Sequence, residues 1–257
     1  MSDPRIELVV HDRVARLTLR RLEKLNAIDA DMVEALMQAC RTIERSDARV
    51  AILSGEGERS FCAGGDIDAW SSLDPDVFSR RWLRDGHDAF DALARLSVPL
   101  IAVLNGHALG GGLELAACAD LRIAEAHVKI GQPEPGLGII PGWSGTQRSS
   151  RRFGAQLVRR MALFGEVYGA EEALALGLVD KVVTRGEGLA AADAAAARVL
   201  QRSPRATELT KMLINAAEGE ESERVVEALA GAVAAASSDL TEGLAAYRQK
   251  RSPQFDR

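Results

Sequence analysis

The sequence predicts an α/β protein of parallel strands and crossover helices that ends in an all-helical portion. Short, continuously apolar runs at Val50–Leu53, Leu100–Leu104 and Leu121–Ala124, with Val182–Val183 after them, have the pattern of buried strands. The stretches between them leave room for the helix that a parallel connection needs, and such crossovers are right-handed. From about Ala170 the chain turns alanine-rich, and from about 186 to 250 it reads as helix. The expected division is therefore a core over 1–185 and a helical C-terminal portion over 186–257.

The elements follow in order. Ile6–Val10 and Val14–Leu19 flank His11-Asp12-Arg13 as a β-hairpin. Arg20 to Ala27 is a polar loop without periodicity. A helix is expected after Asp29, because Met32, Leu36, Cys40 and Ile43 recur at helical spacing. Ser54-Gly55-Glu56-Gly57 turns the chain, and Trp70 to Leu96 reads as helix, stopped by Pro99. Gly169-Ala170-Glu171-Glu172 opens another helix, which Gly177 closes in a left-handed cap. Ser203-Pro204 is an N-cap with proline at the first helical position.

Composition narrows the classes of function. At 257 residues, 47% apolar and 27% charged, the chain has the material for a sizeable core and is neither disordered nor fibrous. A net charge of −5 argues against a general nucleic-acid binder. No apolar run approaches the roughly 20 residues that span a bilayer. The first ten residues lack a signal-peptide core, so a cytoplasmic protein without a membrane partner is expected. Cys40, Cys62 and Cys118 are widely spaced and are expected as reduced, buried thiols.

The chemistry is concentrated between Leu100 and Gly142. Asn105-Gly106 turns the chain after the strand, and Gly110-Gly111-Gly112 opens a short apolar segment that carries one acid, Glu114. Free N–H groups at a glycine-rich helix start suit a negatively charged oxygen. A second acid, Glu134, lies in Gly131-Gln132-Pro133-Glu134, ahead of Ile140-Pro141-Gly142. Two carboxyls beside an anion cradle can move protons next to a carbonyl. Phe61-Cys62-Ala63-Gly64-Gly65-Asp66-Ile67 is a second turn of small residues, where a ligand can lie against backbone. Each feature also has an ordinary reading: Glu114 as a helix-dipole partner, Glu134 as a solvated loop acid, the glycines as tight turns.

Competing motifs fail. Gly106-x4-Gly111 is followed by Gly112 rather than the lysine of a phosphate loop, and Gly136-x-Gly138 lacks the third glycine of a dinucleotide fingerprint. The histidines never pair at metal-ligand spacing. Gly142-Trp143-Ser144-Gly145 approaches a serine-nucleophile motif, but no histidine follows it in the chain.

Taken together, Phe61–Asp66, Asn105–Glu114, Gly131–Glu134 and Pro141-Gly142 with Gly145-Thr146-Gln147-Arg148 resemble the crotonase superfamily, and within it the enoyl-CoA hydratases. The resemblance runs from Lys24-Leu25-Asn26-Ala27 to the Arg251–Phe255 tail. It implies a spiral of ββα turns with C-terminal helices, assembled as trimers or dimers of trimers. It also implies an acyl-CoA substrate and no metal or redox cofactor. By position, the N–H groups of Gly65 and Gly111 would hold the thioester oxygen, Glu114 would act as base on water, and Glu134 would deliver the α-proton. The Gly142 N–H would fix the water. Coenzyme A positions map to Lys24, Leu25 and Ala27 in one loop and to Ala63, Asp66 and Ile67 in another. Arg20, Arg21, Arg59, Lys250 and Phe255 are further candidates to meet the nucleotide.

The superfamily hosts several reactions, so a double-bond isomerase, a specialised dehydratase, a thioester hydrolase and a non-catalytic member stand beside the hydratase. Two departures are visible. Leu22 stands where the family often has proline, and Trp143-Ser144 stands where Ala-Gly is common. A tryptophan beside Gly142 is expected to fill or reshape the acyl pocket and to favour short, branched or aromatic acyl groups over long ones.

Overall fold

β1 (Ile6–His11) and β2 (Val14–Leu19) form the expected antiparallel hairpin, and β2 then pairs in parallel with β3 (Val50–Gly55). The computed structural model describes residues 3–255, without the side chains of Glu223 and Arg224. β3 is followed by β5 (Leu100–Leu104), β7 (Leu121–Glu125) and β10 (Lys181–Val183), giving a six-stranded sheet of order β1-β2-β3-β5-β7-β10 that is parallel from β2 onward. A second sheet has the order β4-β6-β8-β9, from β4 (Ser60–Cys62), β6 (His107–Leu109), β8 (Lys129–Gly131) and β9 (Val167–Gly169). Its first three strands are parallel and β9 is antiparallel.

Each turn of the chain thus lays one strand in the large sheet and a short one in the small sheet before passing to helix. β3 and β4 lead to α2 (Ile67–Trp70), α3 (Pro75–Val77), a π-helical turn (Phe78–Trp82) and α4 (Leu83–Ala94). β5 and β6 lead to α5 (Gly111–Ala116). β7 and β8 lead to a 3-10 turn (Glu134–Leu137), α6 (Gln147–Phe153) and α7 (Ala155–Phe164). This is the spiral of ββα turns that the resemblance implied.

Local chemistry explains the boundaries. α1 (Ala30–Glu44) begins at Asp29, whose carboxylate accepts the Met32 N–H, and its buried face contains Met32, Leu36, Cys40 and Ile43. The segment expected as one helix from Trp70 is broken, because Asp74 caps a fresh start with Pro75 in its first turn. Gly177 has φ +77° and closes α8 (Ala170–Ala175) as expected. The Ser203 hydroxyl accepts the Ala206 N–H at the start of a later helix. Cys40, Cys62 and Cys118 are buried free thiols.

The strands are buried on both faces, which is why they read as continuous apolar runs. Leu53, Leu100, Ala102 and Leu104 join the main core, while Val50, Ile52, Ile101 and Val103 pack under α9 (Gly188–Leu200) through Ala192, Ala195 and Ala196. The chain divides into two compact units, one up to Lys211 and one from Met212. The change to helical sequence near residue 186 therefore precedes the change of unit, because α9 covers the sheet of the first. α10 (Pro204–Ala217) crosses the division, and the second unit contains α11 (Ser222–Ala235) and α12 (Ser238–Gln249). Among the described residues no helix is long and apolar enough to cross a membrane.

Candidate active site

The three parallel strands of the small sheet end at one cavity. β4 runs into Ala63-Gly64-Gly65, β6 into Gly110-Gly111, and β8 into Pro133-Glu134, and all of these residues line a space of about 110 Å³. Glu114, Gly142 and Trp143 line it too, and Ile67, Trp70, Phe78, Trp82, Leu83 and Ile139 complete an apolar wall. Parallel register sets this convergence: Cys62 pairs with Ala108, Leu109 pairs with Gly131, and the Gly110 N–H donates to the Gly131 carbonyl at 2.9 Å.

The two glycine turns are in contact. A Cβ built on Gly111 would stand 3.1 Å from Gly64 Cα and 3.4 Å from the Gly65 nitrogen. Gly110 has φ +55°, which lets the chain turn from β6 straight into α5. Gly112 is needed for space, since a Cβ there would lie 1.9 Å from the Cys62 carbonyl oxygen. Gly111 is the first residue of α5, so its N–H has no partner within the helix. Among the described residues neither that N–H nor those of Gly65 and Gly142 find an acceptor.

Both acids are buried. Glu114 Oε1 accepts the N–H groups of Trp143 at 2.7 Å and Gly145 at 2.6 Å. Neither oxygen of Glu134 accepts a hydrogen bond from the described residues, and its Oε1 lies 3.1 Å from where a Cβ on Gly110 would be. Burial pushes the Glu114 carboxyl up to about 8, with repulsion from Glu134 adding to the rise and the two amide bonds opposing it. Burial likewise raises Glu134 to about 7. Such a pair loses its protons in two steps that belong to both groups. Within the pair, the amides of Trp143 and Gly145 lower the cost of the anion on Glu114, while neither Glu134 oxygen has a donor among the described residues.

Trp143 is part of the cavity lining. Its indole lies 4.9 Å from Trp82 and 5.0 Å from Phe90, ring centre to ring centre, and its N–H donates to the Trp82 carbonyl at 3.2 Å. That carbonyl belongs to the last residue of the π-helical turn, a form often found at functional sites. Next in sequence, Ser144 holds φ +75°, a left-handed conformation costing an L-residue about 1 kcal/mol or more. Its hydroxyl meets His87 Nε2 at 3.1 Å.

The coenzyme A positions divide. Ala63 and Ile67 line the cavity; Lys24, Leu25, Ala27 and Asp66 do not. Their loop is nevertheless fastened to the cavity turn, through Ala63 N–H to the Leu25 carbonyl and Ile28 N–H to the Gly64 carbonyl. Asp66 is buried, caps α2 and pairs with Arg21 at 2.7 Å, while Lys24 bonds Asp68. Arg20 pairs with Glu7 and Glu56, and Arg59 is exposed. Lys250 and Phe255 belong to the second unit and are exposed.

Sequence reading passed over Gly86, His87 and Trp82. A lone glycine inside a helical stretch was the available signal for the first, since it costs a helix about 1 kcal/mol relative to alanine. Nothing in the sequence connects His87 or Trp82 to a loop some sixty residues away.

The sequence model described as enoyl-CoA hydratase/isomerase matches residues 10–257. A crotonyl-CoA hydratase of Syntrophomonas wolfei is 35% identical over 99% of both chains. A short-chain-enoyl-CoA hydratase of Clostridium acetobutylicum is 39% identical over 79% of this chain and 78% of its own. The crystal structure of an enoyl-CoA hydratase from Bacillus anthracis superposes with a TM-score of 0.79 at 29% identity, covering 98% of each chain. With the family model spanning nearly the whole sequence, this chain belongs to the enoyl-CoA hydratase/isomerase family.

Proposed function

We propose that the protein is an enoyl-CoA hydratase that adds water reversibly across the 2,3 double bond of a short 2-enoyl-CoA. The observation that carries this reading is the pair of buried acids in one cavity with unpartnered backbone amides. The Gly65 and Gly111 N–H groups receive the thioester oxygen as it gains negative charge, and losing one such donor costs about 3 kcal/mol of barrier. Glu114, held as the anion by two amides, takes a proton from water as the water oxygen bonds to the β-carbon. Glu134 gives its proton to the α-carbon, and the Gly142 N–H orients the water. The pair begins and ends with one proton, so the same arrangement runs dehydration in reverse. Coenzyme A enters as part of the substrate, and no resident metal or redox group is needed for these steps.

The size of the acyl group follows from Trp143. A cavity of about 110 Å³ with the Trp143 indole in its wall supports short, branched or compact aromatic acyl groups over long chains, crotonyl being the simplest. The names of the Syntrophomonas and Clostridium relatives are in keeping with a short chain. The adenine nucleotide is assigned to the loop of Lys24, Leu25 and Ala27 with Asp66 beside it. For assembly we favour a trimer or dimer of trimers, supported by the exposed Val226, Val233, Leu240 and Tyr247 on the C-terminal helices. The cytoplasm is the proposed location.

The reading is tested by following loss of conjugated-enoyl absorbance over a panel of CoA thioesters with wild type and Glu114→Gln. Hydration of crotonyl-CoA that Glu114→Gln abolishes supports it. A variant that still moves a double bond identifies an isomerase instead.

A further inference from the structure

The loop Trp143-Ser144-Gly145 acts on Glu114 through its backbone, and its own anchorage lies outside the cavity. Two of its amides converge on Glu114 Oε1, and backbone concavities of this kind bind anions. Ser144, between them, supplies the left-handed turn that aims both. Glycine would adopt that turn without strain; serine adds a hydroxyl, which contacts His87 Nε2. The Ser144 carbonyl also accepts the Arg148 N–H at 2.9 Å, and the Arg148 guanidinium reaches Asp91, one turn beyond His87 on α4, at 2.5 Å.

We propose that Ser144 and His87 are positioning residues for the reaction, their contact bolting the strained loop to α4 so that both amides stay on Glu114. The proposal rests on Glu114 being the base. Ser144 is not a nucleophile: it is buried outside the cavity lining, and Asp91 Oδ1 approaches the same His87 nitrogen at 3.7 Å, whereas a triad needs its acid on the other nitrogen. Among the described residues the charged group recorded against His87 is Asp91 on its own helix, which Arg148 of α6 and Arg95 both hold. Those facing Glu114 are Glu134 and Arg148. Without the bolt the loop relaxes, an amide leaves Oε1, and the base both loses its orientation and holds its proton more tightly. Because neither residue lines the cavity, the loss falls on kcat rather than on KM.

The test uses the full chain with crotonyl-CoA and compares His87→Ala, Ser144→Ala, the double variant and His87→Gln. Each alanine variant is expected to lower kcat about tenfold, the order of effect that small misplacement of a reacting group produces, with KM little changed. The double variant should lose no more than the worse single, because both act through one contact. The acid limb of kcat/KM should move to higher pH in all three. His87→Gln, whose amide can still reach the hydroxyl, should keep most of the rate. Additive losses, a glutamine variant as impaired as the alanine, or a lowered melting temperature with kcat and pH profile unchanged would each overturn the proposal. A wild type that hydrates no enoyl-CoA, or a fully active Glu114→Gln, overturns the hydratase reading and the proposal with it, so the two failures are told apart.

Discussion

Trp143 occupies the space that a side chain on Gly86 would need: a Cβ at residue 86 would stand 2.1 Å from the indole Nε1. The ring's other edge lies 3.4 Å from a Cβ position built on Gly111 and 3.5 Å from one on Gly65. The indole is thus clamped between α4 and the two glycine turns and forms one wall of the cavity.

Removing that wall should lengthen the acceptable chain. Trp143→Ala is expected to raise the rate on decenoyl-CoA relative to crotonyl-CoA by at least about tenfold, since each methylene accommodated in an apolar pocket is worth about 1–3 kcal/mol. Gly86→Ala should do the opposite of a harmless helix-stabilising change. Its methyl displaces the indole, lowering stability by about 1–3 kcal/mol and reducing turnover. Steady-state rates on the two thioesters and thermal melts check both outcomes.

Gly111 has little room for a side chain. Gly111→Ala should push the Gly64-Gly65 turn aside and spoil the pair of amides, lowering kcat by about 100-fold or more while the protein stays folded. Circular dichroism and crotonyl-CoA kinetics on the same preparation measure both parts.

The shared proton sets the pH dependence. In the proposed mechanism activity needs one proton on the Glu114–Glu134 pair, so kcat/KM should be bell-shaped, falling as pH rises through about 8 and the last proton leaves. It should fall again below about 7 as the second proton is bound. A profile flat from pH 6 to 9 would contradict this.

The same acids should cost stability. The folded pKa values lie above the ordinary value of 4.5, so the folded state keeps protons that the unfolded chain releases between about 4.5 and 7–8, and stability falls as pH rises through that window. Glu134→Gln carries no ionisable group there. It should melt higher than wild type at pH 8, lose that advantage near pH 4, and have almost no hydratase activity.

Much of this was legible in the sequence where local rules decide the outcome. The Asp29 cap, the left-handed Gly177 and the apolar runs of β3, β5 and β7 follow from dihedral preferences and burial alone. Glu114 and Glu134 were legible as candidates because glycine turns flank them. That both line one cavity depends on the Cys62–Ala108 and Leu109–Gly131 register, which is a property of paired strands rather than of either segment. Asp66 is a coenzyme A position by the resemblance alone, and what no spacing rule foretells is that its carboxylate pairs with Arg21 and caps α2. The Gly86–Trp143 and His87–Ser144 contacts join α4 to a loop far along the chain, and no spacing rule reaches that distance.

The most direct test is the reaction of crotonyl-CoA with the wild-type protein in ²H₂O, with the product analysed by mass spectrometry and NMR. Two acids acting on adjacent carbons require 3-hydroxybutyryl-CoA with one deuterium at the α-carbon and a solvent-derived oxygen at the β-carbon. Recovery of crotonyl-CoA unchanged, or of a shifted double bond with no oxygen added, would contradict it.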